Sequence, residues 1–202
     1  MNTAVFLTIF ISAVFVNNVI LSRFLGLCSF IAISKQTKPA LAMSLAVMFV
    51  TTMSSIITWL IYRFLLIPLD MTYLRTISFI LVIATFVQFV EMVIRKIAPP
   101  MYRFFGIYLP LITVNCAVLG VAVLNSDMFF IDSKSVPGGF LFSTFQGICV
   151  GIGYTLAMLL MSAIRERLEL CNVPKALKDF PLGFIIASIM SMSFMGFNGF
   201  RF

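Results

Sequence analysis

The sequence contains no histidine. That removes the commonest metal ligand and the usual proton shuttle near neutral pH. Charge is scarce too. Charged residues make up 10% of the 202, against roughly 25% in soluble domains. No polar block is large enough to fold outside a membrane, so any soluble domain that works with this chain has to belong to a partner. A phosphate-binding glycine loop, a dinucleotide fingerprint and a serine-centred triad are all missing. Catalysis by this chain alone is therefore not expected. The four cysteines, three in apolar runs and one in a loop, build no disulfide framework.

What remains is apolar. Hydrophobic residues account for 61% of the chain, and mean hydropathy is +1.12. This reads as an integral membrane protein, in which length counts spans and not soluble domains. The net charge of +7 points to orientation in lipid and not to nucleic acid, because the basic residues sit in short loops. The N-terminus has no basic region and no evident small-residue cleavage site, so the first apolar run reads as a retained span.

Charge-free runs mark six spans. About 20 residues of helix cross a hydrocarbon core of roughly 30 Å. The first run, 5–34, exceeds that length and holds one charge, Arg23. Either it tilts strongly or it breaks around Arg23 to Gly26, placing Cys28 on a separate half-segment. The second span is 39–62, with Pro39 in its first turn. The third is about 74–94, the fourth 104–124, the fifth 140–164 and the sixth 181–197. Loops after spans one, three and five carry nine Lys and Arg: Lys35, Lys38, Arg95, Lys96, Arg103, Arg165, Arg167, Lys175 and Lys178. The opposite side carries four, Arg63, Arg75, Lys134 and Arg201. By the positive-inside rule the odd loops are cytoplasmic and both termini periplasmic.

The expected fold is all-α: one integral membrane domain over 1–202, with six transmembrane helices as two inverted three-helix repeats, about 1–98 and 99–202. Each repeat opens with an interrupted helix, a pattern known from transporters. Aligning Cys28 with Cys116 gives almost no other identity, so the repeat rests on topology.

Cys28 and Cys116 are the candidate metal ligands. A single cysteine in a buried helix is ordinarily a small hydrophobe. These two stand beside a helix breaker or an amide: Cys28 follows Gly26, and Cys116 follows Asn115 six residues after Pro110. Irregular backbone at depth survives only where protein buries it or it lines a cavity. Two thiolates complete neither a tetrahedral zinc site nor the four-cysteine shell of an iron–sulfur cluster. Two further ligands have to come from another chain. Cys149, on a glycine-rich span, and Cys171, in a cytoplasmic loop, are poor candidates. Arg23 reads first as a snorkelling side chain and second as a partner for an anionic cluster. Glu91 stands four residues before Arg95, the spacing of a helix-end ion pair; an ion-path carboxylate is its second reading. Asn17, Asn18 and Asn115 read as amides that satisfy broken backbone before they read as ion ligands. Arg165-Glu166-Arg167 reads as a solvated helix end, with a docking face as the alternative.

Seven stretches carry a family resemblance. They are Asn17-Asn18, Phe24-Leu25-Gly26-Leu27-Cys28, Tyr73-Leu74-Arg75-Thr76, 88–93, 109–120, 163–168 and 194–197. Together the chain resembles the A-type membrane protein of the Rnf (Rsx) electron-transport complex, and it is similar to the related D- and E-type membrane subunits of the sodium-pumping NADH:quinone reductase. The likeness spans nearly the whole length; the loop 125–139 and the tail match least.

The resemblance implies a six-span subunit of the bacterial inner membrane. It implies a homologous E-type partner in inverted orientation, alongside B, C, D and G types. It also implies a [2Fe–2S] cluster shared with that partner, for which Cys28 and Cys116 are this chain's ligands. The function implied is electron transport coupled to sodium or proton transport. Thiolate ligands make such a centre anionic, so it needs backbone N–H donors and helix N-termini. Two rivals stand beside this reading: a small secondary transporter or its substrate-binding component, and a purely structural scaffold.

Overall fold

The computed structural model of the chain describes residues 3–66, 68, 72–97, 111–112, 114–127, 139–171 and 180–196. Among them there is no β-strand. Seven α-helices follow in order: α1 (Thr3–Ile11), α2 (Leu27–Ile33), α3 (Thr37–Ile61), α4 (Arg75–Ile97), α5 (Cys116–Asn125), α6 (Gly139–Glu169) and α7 (Phe180–Met195). A π-helical turn, Ser12–Val16, ends α1, and another, Tyr62–Leu66, extends α3.

Three segments are long and apolar enough to cross a bilayer: Thr37–Leu66, Arg75–Val93 and Gly139–Leu168. Three shorter apolar helices accompany them, Phe6–Val16, Cys116–Asn125 and Pro181–Met195. Spans two, three, five and six of the sequence reading therefore fall on α3, α4, α6 and α7, with ends shifted by a few residues. The first long run breaks; it does not tilt as one rod. The break covers residues 17–26, beginning well before the stretch around Arg23. Of the fourth span, only 111–112 and 114–124 are described; Pro110 and the boundary between the proposed repeats lie outside the described residues.

The centre of the bundle is the antiparallel pair α3 and α6. On α3 the buried positions Ala40, Met43, Ser44, Val47, Thr51, Ser54, Ser55 and Thr58 recur at helical spacing along one face. That face meets Gly147 and Gly151 of α6. A Cβ built on Gly151 would lie 2.7 Å from Met48 Cγ and 3.0 Å from Met48 Cα, and one on Gly147 2.7 Å from Ser55 Oγ. Lipid tails are as apolar as leucine, so helices in a membrane gain from close backbone approach and not from burial alone. Small residues four apart provide that approach here. Several hydroxyls on these apolar helices are satisfied within their own helix. Thr58, for example, donates to the Ser54 carbonyl at 2.7 Å.

α4 lies against α3 and α5, and among its described side chains buries a narrow stripe, Phe79, Ile83 and Val87. Its other apolar side chains, among them Ile77, Leu81, Phe89 and Met92, are exposed. Near the end of α3, Trp59 stacks edge-on with Phe140 at 5.1 Å, and Arg63 sits 5.8 Å above the tryptophan ring. Such amphipathic aromatics are typical of a membrane–water boundary.

Candidate functional site

The interruption between α1 and α2 is built from named contacts. The π turn hands over at Asn17, whose N–H donates to the Ser12 carbonyl at 2.6 Å. The Asn17 side chain is exposed and donates to Ser12 Oγ. Asn18 is buried and uses both ends of its amide. Its nitrogen donates to the carbonyls of Val14 (3.2 Å) and Gly153 (2.9 Å), and its oxygen accepts from the Ile20 N–H (3.1 Å). Ser191 of α7 donates to the Leu21 carbonyl at 2.7 Å. The backbone freed by the break is thus re-paired by neighbouring helices, as irregular chain inside a membrane requires.

Two residues turn the chain back. Phe24 has φ 56° and Gly26 has φ 83°, both left-handed. For Gly26 this costs little. For Phe24 it is strain on the order of 1–2 kcal/mol, on a side chain that is half exposed. Gly26 is also where the two interruptions touch. A Cβ there would lie 3.0 Å from Asn115 Oδ1 and 3.1 Å from Ala117 Cβ. Asn115 caps α5, its Oδ1 accepting from the Ala117 N–H at 3.0 Å.

Cys28 is the second residue of α2 and Cys116 the first of α5. The contact at Gly26 therefore brings together the two helix starts that carry these thiols, and both side chains are exposed on the single chain. The N-cap of α2 is Gly26, which brings no side-chain cap. Among the described residues no three His, Cys, Asp or Glu side chains form a metal-holding group.

A buried polar network backs the thiols. Ser29, next to Cys28, donates or accepts with Tyr154 OH of α6 at 2.9 Å, and Asn115 Nδ2 donates to Ser29 Oγ at 3.4 Å. The Tyr154 ring borders Gly26 as well. Tyr154 and Ser29 were not singled out from the sequence. The available signal was a tyrosine at mid-span, whose hydroxyl needs a partner when buried.

Arg165 corrects the sequence reading. It is not part of a solvated helix end: it is 6% exposed. Its guanidinium donates to the Ile31 carbonyl (2.7 Å) and to Ser34 Oγ (2.8 Å). It thus caps the C-terminal end of α2, where a cation is favoured. Glu166 and Arg167 beside it are exposed, and Glu166 accepts from Thr37 Oγ1 at 2.7 Å. Arg23 is exposed on the break. Glu91 is half-buried in the last turns of α4. Cys149 is buried in α6, and Cys171 is exposed beyond its end.

Comparison with known proteins then places the chain. The profile of the family described as "Rnf-Nqr subunit, membrane protein" matches residues 6–201. The chain belongs to the Rnf-Nqr membrane protein family. It is 49% identical over 194 residues to the A-type component of the ion-translocating oxidoreductase complex of Proteus mirabilis, covering 96% of each chain. A relative of the same name from Azoarcus sp. is 50% identical over 193 residues, again 96% of each. The A-type component of the Na(+)-translocating ferredoxin:NAD(+) oxidoreductase complex of Acetobacterium woodii is 48% identical over 193 residues, also 96% of each. Rnf-Nqr membership agrees with the resemblance carried by the seven stretches.

Proposed function

We propose that this chain is the electron-carrying membrane component of a bacterial inner-membrane oxidoreductase complex that moves sodium ions or protons, with Cys28 and Cys116 as ligands of a [2Fe–2S] centre shared with a homologous subunit. One observation supports this above the others: Gly26 packs against Asn115 and Ala117, setting side by side the two helix starts that bear exposed thiols. The donor set suits half of such a cluster, two soft sulfurs near backbone N–H groups. When bound, a [2Fe–2S] centre supplies one-electron transfer.

The chain's own residues supply the rest. Cys28 and Cys116 hold. Asn115 fixes the start of α5, and Ser29 and Tyr154 tie α2 to α6, so each thiol rests on a backed-up backbone. Leu25 packs against Gly120 of α5, a second contact between the first break and the helix that bears Cys116. Homologous E-type and other B-, C-, D- and G-type subunits are the expected partners, in keeping with the relatives' names as members of a complex.

The test replaces each cysteine singly, Cys28→Ser and Cys116→Ser, in the assembled complex. Iron content and the cluster's electron paramagnetic resonance signal are then measured. Both variants are expected to lose signal and iron while the complex still assembles. Retention of both in both variants overturns the assignment.

A further inference from the structure

A second concentration of oxygen atoms lies at the far end of α5, about 14 Å along the helix from Cys116. Asn125, Ser55 on α3 and Ser143 on α6 are all buried there. The Asn125 amide nitrogen faces Ser55 Oγ at 3.1 Å, Ser143 Oγ at 3.3 Å and the Ser143 carbonyl at 3.4 Å. Ser143 Oγ donates to the Ser55 carbonyl at 3.5 Å. The Asn125 amide oxygen has no partner, and Asn125 is 0% exposed.

This amide is half-satisfied however it is set. Two N–H bonds face three acceptors, and the oxygen faces none. Turning the amide over exchanges its ends and leaves the nitrogen without an acceptor. An orphaned acceptor in a membrane interior is costly, and such a group calls for an occupant. The surroundings say which kind. Turned over, the amide sets its oxygen beside the Ser55 and Ser143 hydroxyls and the Ser143 carbonyl, at the 3.1–3.4 Å otherwise spanned by its nitrogen; with the Ser55 carbonyl next to Ser143 Oγ, the ligands gathered there are all neutral oxygens. Divalent hard cations draw on carboxylates. The nearest described carboxylate in sequence, Asp127, is held by Arg75 at 2.7 Å and is half exposed. The site also sits at the C-terminal, negative end of the α5 dipole. C-terminal ends of half-helices are where transporters coordinate small cations.

We infer that Asn125, Ser55 and Ser143 form a buried binding site for a dehydrated monovalent cation. Its place in ion transport rests on the proposed function; its existence does not, so the test reads binding directly. Equilibrium binding of radioactive sodium, and separately of a potassium tracer, is measured on the purified complex. The native complex is compared with Asn125→Ala and Ser143→Ala, the second of which deletes a single oxygen. Each variant is expected to lose one equivalent of one ion, or to bind it about tenfold or more weakly, with assembly unchanged. Cys28→Ser is expected to keep the ion, so failure of the cluster assignment and failure of this site give different results. Equal stoichiometry and affinity for both ions in native and variant complexes would overturn the site and leave an internal water as its occupant.

Discussion

Asn17 and Asn18 are adjacent and identical, yet the fold uses them differently. Asn18 spends its amide on three backbone groups across the break. Asn17 reaches only an exposed serine hydroxyl. Asn18→Leu keeps the branching of the side chain and strands the Ile20 N–H and the Gly153 carbonyl. It is expected to cost about 1–3 kcal/mol, read as a lowered thermal midpoint of the detergent-solubilised complex. Asn17→Leu is expected to stay within about 0.5 kcal/mol of native. Equal midpoints for the two variants would show that the break does not depend on Asn18. That the asparagines serve backbone was legible in the sequence. Which of the two does so was not, because the partner carbonyl of Gly153 lies 135 residues away.

At the scale of elements, α2 is held at both ends. Gly26 and Ser29 meet α5 and α6 at its start, and Arg165 grips its finish. Arg165→Met keeps the apolar stem but leaves the Ile31 carbonyl and Ser34 hydroxyl without their cation. Loss of hydrogen bonds to a charged group costs about 1.5–3 kcal/mol. The expected result is a destabilised complex with reduced iron content, since α2 also positions Cys28. A native midpoint together with native iron would show that α2 needs no such grip. Helices α3, α4 and α6 were legible because charges bound them closely. The start of the first break was not, since the apolar run continues unbroken to Arg23 and offers no stop signal at residue 17 beyond the paired amides. Arg165 was misread because a charged triplet at a helix end looks solvated, and its partners are more than 130 residues distant. The Asn125 cluster left no local trace either: it is assembled from three helices, each supplying one ordinary polar residue.

For the whole molecule, the antiparallel crossing of α3 and α6 agrees with spans two and five running in opposite directions. An even number of spans returns the chain to its starting side. With nine basic residues on one side against four on the other, both termini are expected outside the cytoplasm. A phosphatase fused at the C-terminus is expected to be active, and a green fluorescent protein fused there to stay dark. The reverse pair of readings overturns the orientation. The bare flank of α4 is wide enough to meet lipid or a neighbouring protein along most of its length.

Cys28 and Cys116 lie open on the lone chain. Uncovered sulfurs age: peroxide oxidises an accessible thiol to sulfenic acid, and that acid condenses with a second thiol, releasing water, to a disulfide that ligates nothing. If a second subunit covers the pair, as the proposed function has it, a newly inserted copy races oxidative damage until that subunit arrives, and balanced synthesis of the two, or a chaperone that shields the thiols, becomes part of what the cell has to provide.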